Sequence, residues 1–159
     1  MQKLIIVLIC LLISSNLHAM ETSAKQAYIL DFETGQALLS KNAEEKMPTS
    51  SMSKVMTAYM VFEALQNKSI TEDAEFFVSE KAWKKGGSKM FVPQGEKVNV
   101  MDLLRGVIIQ SGNDATIVLA EGISGNEDAF AKQMTERAKK IGMSNTNFTN
   151  ASGWPDEKH

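Results

Sequence analysis

Cysteine and histidine are all but missing from this sequence, which has one cysteine, Cys10, and two histidines, His18 and His159, among 159 residues. Two of those three lie at the very start. Met1-Gln2-Lys3 carries a positive charge, Leu4 to Ile13 is apolar apart from the thiol of Cys10, and Ser14 to Ala19 is polar and then small. That is the order of a secretory signal peptide, with cleavage expected after Ala19. Residues 1–19 are read as the signal and residues 20–159 as part of one domain. Removing the signal leaves no cysteine, hence no disulfide, and only His159. An exported chain without cysteine fits a bacterial envelope or periplasm better than a disulfide-stapled secreted module. A Ser-His-Asp triad needs an imidazole held between nucleophile and carboxylate, and His159, dangling at the terminus, is a poor candidate. A Cys–His pair is excluded, and no metal site is expected, since zinc draws mainly on Cys and His.

An excess of one charge is missing too. Seventeen basic and 19 acidic residues give a net charge of −2, so there is no basic field to hold nucleic acid. No apolar run reaches the roughly 20 residues of a membrane-spanning helix. Neither common glycine-rich phosphate loop occurs, and no cofactor is expected. What is there is an ordinary globular composition, 43% hydrophobic and 23% charged. If such a chain performs nucleophilic catalysis, lysine or a carboxylate has to be its base.

Tyr28–Phe32 and Ala37–Leu39 read as strands of a β-hairpin, with Gly35 in the turn at positive φ. Lys41–Ser50 reads as loop. From Ser51 to about Gln66, Met52, Val55, Met56, Tyr59, Phe62 and Leu65 fall at helical spacing. Met60 and Val61 widen that stripe, which predicts a central, mostly buried helix. Phe76–Val78 reads as a strand edge and Gly86–Ser88 as loop. Asn99 is a good N-cap for a helix over Val100–Gln110, with Asp102 at the capping-box position. Ser111-Gly112-Asn113 interrupts before an apolar helix from Ala115 to about Gly122. Asn126 caps a third helix that runs to Ile141 and stops at Gly142, and residues 145–155 read as polar loop. A hairpin followed by a helical block predicts an α+β fold, or a sheet whose other strands lie elsewhere.

Ser51-Met52-Ser53-Lys54 opens the first of these helices. Residues three apart share a helix face, with about 5–6 Å between Cβ atoms, so the Lys54 amine can reach the Ser51 hydroxyl. Free N–H groups and the dipole of the first turn favour negative charge there. Lys54 can act as a base only if its pKa falls well below the ordinary value of about 10.4, through burial or a nearby second cation. Taken alone, the pattern is more often that of a helix N-cap serine with a solvated lysine one turn on. In Ser111-Gly112-Asn113, glycine permits a tight turn. Ser111 could relay a proton to a leaving group, and the Asn113 amide could orient a substrate carbonyl or the lysine. The bland alternative is a helix–helix turn with Asn113 as N-cap. S-x-x-K followed by S-x-N at a helix–helix corner is far more specific than either part.

With these motifs the chain resembles the low-molecular-mass D-alanyl-D-alanine carboxypeptidases, whose second motif takes the Ser-Gly-Asn form. The stretches 48–57, 87–91, 102–115 and 147–155 share the likeness, which covers essentially the whole chain after the signal. The resemblance implies the serine β-lactamase/penicillin-binding-protein fold, here incomplete: the N-terminal hairpin plus the helical subdomain. It implies that Ser51 attacks the penultimate D-Ala carbonyl of a peptidoglycan stem peptide, that Lys54 accepts its proton, that Ser111 assists the departing D-Ala and that Asn113 binds substrate. β-Lactams would acylate the same serine and inhibit. The family's Lys-Thr-Gly motif does not occur here, nor do its C-terminal β domain and amphipathic membrane anchor, so membrane association would need an anchor this chain lacks. The chain is therefore expected to be the front of a longer protein. A D,D-endopeptidase or β-lactamase on the same scaffold, or an inactive truncated envelope protein, are the alternatives; Ser-Asp-Asn would mark a class A β-lactamase.

Three Asn-x-Ser/Thr patterns, at Asn67, Asn147 and Asn150, read as chance in an envelope protein. Lys81, Lys84 and Lys85 read as a solvated basic face, and the methionines as core filler.

Overall fold

The computed structural model describes residues 21–159, so the signal reading of residues 1–19 lies outside the described residues. The chain forms two compact units, one ending at Met47 and one running from Pro48 to His159.

The first unit holds an antiparallel hairpin of β1 (Ala27–Leu30) and β2 (Ala37–Lys41), with Tyr28 opposite Ser40 and Ile29 opposite Leu39. Asp31 organises the turn. Its carboxylate accepts from the Thr34 N–H and hydroxyl, each at 2.7 Å, which holds its pKa below the usual carboxylate range. This explains why β1 stops at Leu30 instead of continuing to Phe32: Asp31 belongs to the turn, which Gly35 completes at φ +71°. β2 runs on to Lys41, beyond the expected Leu39, and the Lys41 amine donates to the Thr22 carbonyl at 2.9 Å.

The second unit contains five helices among the described residues: α1 (Ser53–Gln66), α2 (Glu80–Lys84), α3 (Val100–Gln110), α4 (Asn113–Ser124) and α5 (Glu127–Lys140). Two short strands, β3 (Glu75–Phe77) and β4 (Lys97–Asn99), pair antiparallel. The predicted caps are present. The Asn99 side chain accepts from the Met101 and Asp102 N–H groups, and that of Asn126 from the Ala129 N–H. Asp102 differs from its capping-box reading, because its carboxylate turns to Arg105 at 2.7 Å. Strand β4 and helix α2 were not read from the sequence, since three to five residues carry no measurable periodicity. Helix α2 is marked by Ser79, whose hydroxyl accepts from the Ala82 N–H.

The centre of this unit is α4, buried without interruption from Asn113 to Ala120. Its Ala115, Ile117, Val118 and Leu119 meet Val61, Val78, Val100, Leu103, Leu104 and Val107, while Ala120 joins Met56, Phe130, Met134 and Phe148 on the other side. The sequence had assigned the central place to the helix from Ser51. Instead α1 buries one face, through Met56, Val61 and Ala64, and exposes Val55 and Phe62. That helix is apolar on two sides, and within the described residues only one side is covered.

Asp114, fully buried at the start of α4, ties the 90–92 segment down. One carboxylate oxygen accepts from the Met90 and Ala115 N–H groups, each at 2.9 Å, and the other from Phe91 at 2.8 Å and Val92 at 3.2 Å. Asp114→Asn turns one acceptor oxygen into an amide facing two N–H donors. The expected loss is about 2 kcal/mol, read as a lower urea midpoint at unchanged slope.

Candidate active site

Ser51 sits in a single 3-10 turn, Ser50–Met52, that leads into α1 at Ser53. The expected helix therefore begins two residues later than read. Ser50 stands at φ +48°, a left-handed conformation that costs a side-chain-bearing residue roughly 1–2 kcal/mol. Ser51 is exposed and Lys54, one turn on, is 5% exposed. The Lys54 amine donates to Ser51 Oγ at 3.1 Å and to the Ser152 carbonyl at 2.8 Å, and among the described residues it has no carboxylate partner. Burial pushes its pKa below the ordinary lysine value and the charge of Lys85 pushes the same way. A neutral amine held against a hydroxyl can accept that hydroxyl's proton and so make the oxygen a nucleophile. The solvated-lysine reading fails here for a simple reason: the 151–154 segment covers the amine.

That segment is built by Asn150. Its Oδ1 accepts from the N–H groups of Ser152 and Trp154 and from the Ser152 hydroxyl, while its Nδ2 donates to the Trp154 carbonyl at 3.0 Å. Its amide is thus committed inside the fold. Glu127, at the start of α5, accepts from the Ala151 N–H at 3.2 Å and pairs with Lys81 at 2.7 Å, and Thr57 donates to the Ala151 carbonyl at 2.6 Å. Gly153 allows the segment to lie on the Ser50–Met52 turn: a β-carbon there would stand 1.7 Å from the Ser50 carbonyl oxygen.

Asn113 and Ser111 lie at the α3–α4 corner. Asn113 is the first residue of α4 and not its cap, which is Gly112. Its Nδ2 donates to the Gly86 carbonyl at 2.9 Å and its N–H to the Ser88 carbonyl at 2.8 Å. A β-carbon on Gly87 would meet both Asn113 Nδ2, at 2.6 Å, and the Trp154 ring, at 3.1 Å. Trp154 therefore joins the Asn113 corner to the segment whose Ser152 carbonyl holds Lys54. Ser111 is half-buried and caps α3 at φ +54°. The tight turn had been assigned to Gly112, yet Gly112 has an ordinary φ of −63°. Glycine is needed there for room, since a β-carbon would sit 3.1 Å from the Met90 nitrogen and from Asp114 Oδ1. Among the described residues the Lys54 amine bonds to neither Ser111 nor Asn113.

His159 does not dangle. Its ring is edge-on to Phe148, centroids 5.6 Å apart, and Nε2 lies 2.7 Å from the hydroxyl of Ser53, not Ser51. Burial lowers its pKa. The lysine cluster also differs from its reading as one solvated face: Lys81 pairs with Glu127, Lys84 with Glu80, and Lys85 is half-buried with its ammonium 4.1 Å from the centre of the Trp154 ring. Sequence reasoning thus missed Ser152, Gly153, Trp154 and Lys85. The only signal was the position of residues 150–154 within a stretch shared with the resembled family. Among the described residues no group of three His, Cys, Asp or Glu side chains is placed to hold a metal ion, and no helix is long and apolar enough to cross a membrane.

Residues 14–159 match the D-alanyl-D-alanine carboxypeptidase family. A D-alanyl-D-alanine carboxypeptidase from Bacillus subtilis is 40% identical over 136 residues, which is 86% of this chain and 35% of the relative. The crystal structure of a D-alanyl-D-alanine carboxypeptidase from Francisella tularensis superposes with a TM-score of 0.85 at 39% identity, covering 89% of this chain and 34% of that one. A penicillin-binding protein from Listeria monocytogenes, solved with ampicillin bound, superposes with a TM-score of 0.76 at 32% identity, covering 88% and 56%. The α+β fold is thus of the penicillin-binding type, seen here over its N-terminal part. The chain spans about a third of the length of the curated relatives it matches.

Proposed function

Because the chain belongs to the D-alanyl-D-alanine carboxypeptidase family, we propose that the protein removes the terminal D-Ala from peptidoglycan stem pentapeptides through an acyl-enzyme on Ser51. Ser51 Oγ attacks the carbonyl carbon of the penultimate D-Ala while the Lys54 amine takes the hydroxyl proton. The C–N bond then breaks as the proton held by Lys54 is relayed through Ser111 to the leaving amine, and free D-Ala departs. Asn113 orients the scissile carbonyl. A water then gives a proton to the freed Lys54 amine and attacks the ester carbonyl, and that proton returns to Ser51 Oγ as the ester bond breaks. One observation carries this reading: the amine of a buried lysine lies 3.1 Å from an exposed serine hydroxyl, with no carboxylate among the described residues to hold its charge. β-Lactams would acylate the same oxygen and act as inhibitors. Residues 1–19 would serve as the signal for export to the periplasm.

Incubating the full-length protein with a fluorescent penicillin is expected to give one adduct, mapped by mass spectrometry to the peptide holding Ser51, together with release of D-Ala from a stem pentapeptide. Rapid turnover of the penicillin would favour a β-lactamase, and cleavage of a cross-linked dimer in preference to the pentapeptide would favour an endopeptidase. A folded protein with no adduct on Ser51 would overturn the proposal.

A further inference from the structure

A second cation is tied to the segment that holds the Lys54 amine. Lys85, at the end of α2, is half-buried, and its ammonium lies over the Trp154 ring at 4.1 Å from the centroid. Among the described residues it has no carboxylate within ion-pairing distance, because the carboxylate on that side, Glu127, is taken by Lys81 at 2.7 Å and by the Ala151 N–H at 3.2 Å. The Trp154 backbone is fixed in turn: its main-chain N–H donates to Asn150 Oδ1 at 2.9 Å and to Ser152 Oγ at 3.3 Å, and the Ser152 carbonyl holds the Lys54 amine at 2.8 Å. Burial lowers the pKa of Lys85 itself, and an aromatic face attracts an ammonium without cancelling its charge.

We propose that Lys85 is a positioning residue for the acyl-transfer site, held on Trp154 so that its charge keeps the Lys54 amine in the neutral form that accepts the Ser51 proton. The proposal rests on the role assigned to Lys54 above. The charged and titratable groups around the pair are Lys81 and Lys85 from α2, Glu127 from α5 and His159 near Ser53; Lys81 and Glu127 are mutually paired. Burial is the larger cause of the low Lys54 pKa and Lys85 the second, so removing Lys85 is expected to restore part of the ordinary value, not all of it.

The test is a pH titration of the Lys54 side chain in the full-length protein, read by NMR of 13Cε-labelled lysine and assigned through Lys54→Arg. Lys85→Met, which keeps the aliphatic stem, is expected to raise the Lys54 pKa, while Lys85→Arg keeps it at the wild-type value. The rising limb of the pH–rate profile for penicillin acylation is expected to move up by the same amount in Lys85→Met. An unchanged Lys54 pKa in Lys85→Met would overturn the proposal, as would an equal rise in Lys85→Arg, which would trace the effect to packing and not to charge. The NMR titration needs no turnover, so a protein inert toward penicillin would sink the acyl-transfer reading and still decide the role of Lys85.

Discussion

With Lys54 replaced by methionine, acylation of Ser51 by penicillin is expected to fall by about a thousandfold or more, as for loss of the base that activates a nucleophile. Methionine fills most of the lysine's volume and carries no charge, so the apolar surroundings of α1 tolerate it. The groups left unpaired are the Ser152 carbonyl and Ser51 Oγ, which receive the amine at 2.8 and 3.1 Å. Losing a donor to a buried carbonyl costs about 1–3 kcal/mol, so the variant remains folded if the protein has the usual reserve of roughly 5–15 kcal/mol. Stopped-flow labelling gives the rate and far-UV circular dichroism checks the fold. Labelling at the wild-type rate would remove Lys54 from its role. The sign of the pH effect follows from the same group. Its pKa is lowered in the folded protein, so activity is expected to persist below the ordinary lysine pKa and to be lost as pH falls through the folded value.

The second large effect is expected at Gly153. Its φ is +75°, and a β-carbon would fall 1.7 Å from the Ser50 oxygen, 2.4 Å from the Ser50 carbonyl carbon and 2.9 Å from Ser53 Oγ. Two of these are backbone atoms and cannot swing aside. Gly153→Ala therefore forces the 150–154 segment off the Ser50–Met52 turn or pushes that turn out of place, and either movement separates Lys54 from Ser51 or from Ser152. A loss of about 3–5 kcal/mol is expected, with slower acylation beside it. Gly142→Ala is the control: φ is +99° but nothing lies within 4 Å of the added carbon, so the cost is that of the backbone conformation alone, about 1–2 kcal/mol. Equal drops in melting temperature for the two variants would show that close approach at Gly153 does not matter.

The readable parts of this protein were those carried by local chemistry. Asn99 and Asn126 cap their helices as their side chains demand, Gly35 turns the hairpin, and the spacing from Ser51 to Lys54 places amine and hydroxyl on one face. Where the reading went astray, the deciding partner lay outside the motif, whether one helical turn on or far along the chain. Asp102 was placed in a capping box but pairs with Arg105. Gly112 was thought to bend the chain, yet Ser111 takes the left-handed conformation, and Gly112 makes room for Met90 and Asp114. The helix from Ser51 looked central because it is apolar on two sides, while α4 is the one surrounded.

Sequence alone narrowed the chemistry that was available: with no cysteine and one histidine after residue 19, lysine or a carboxylate is left as the base for any nucleophile. It also carried the family. Only the tertiary structure decided whether that lysine is dry. The amine is covered by a loop about a hundred residues further on, held there by Asn150, Glu127 and a glycine that meets the Ser50–Met52 turn. Burial and the nearness of a second charge are properties of position in space, and no pattern within four residues can contain them.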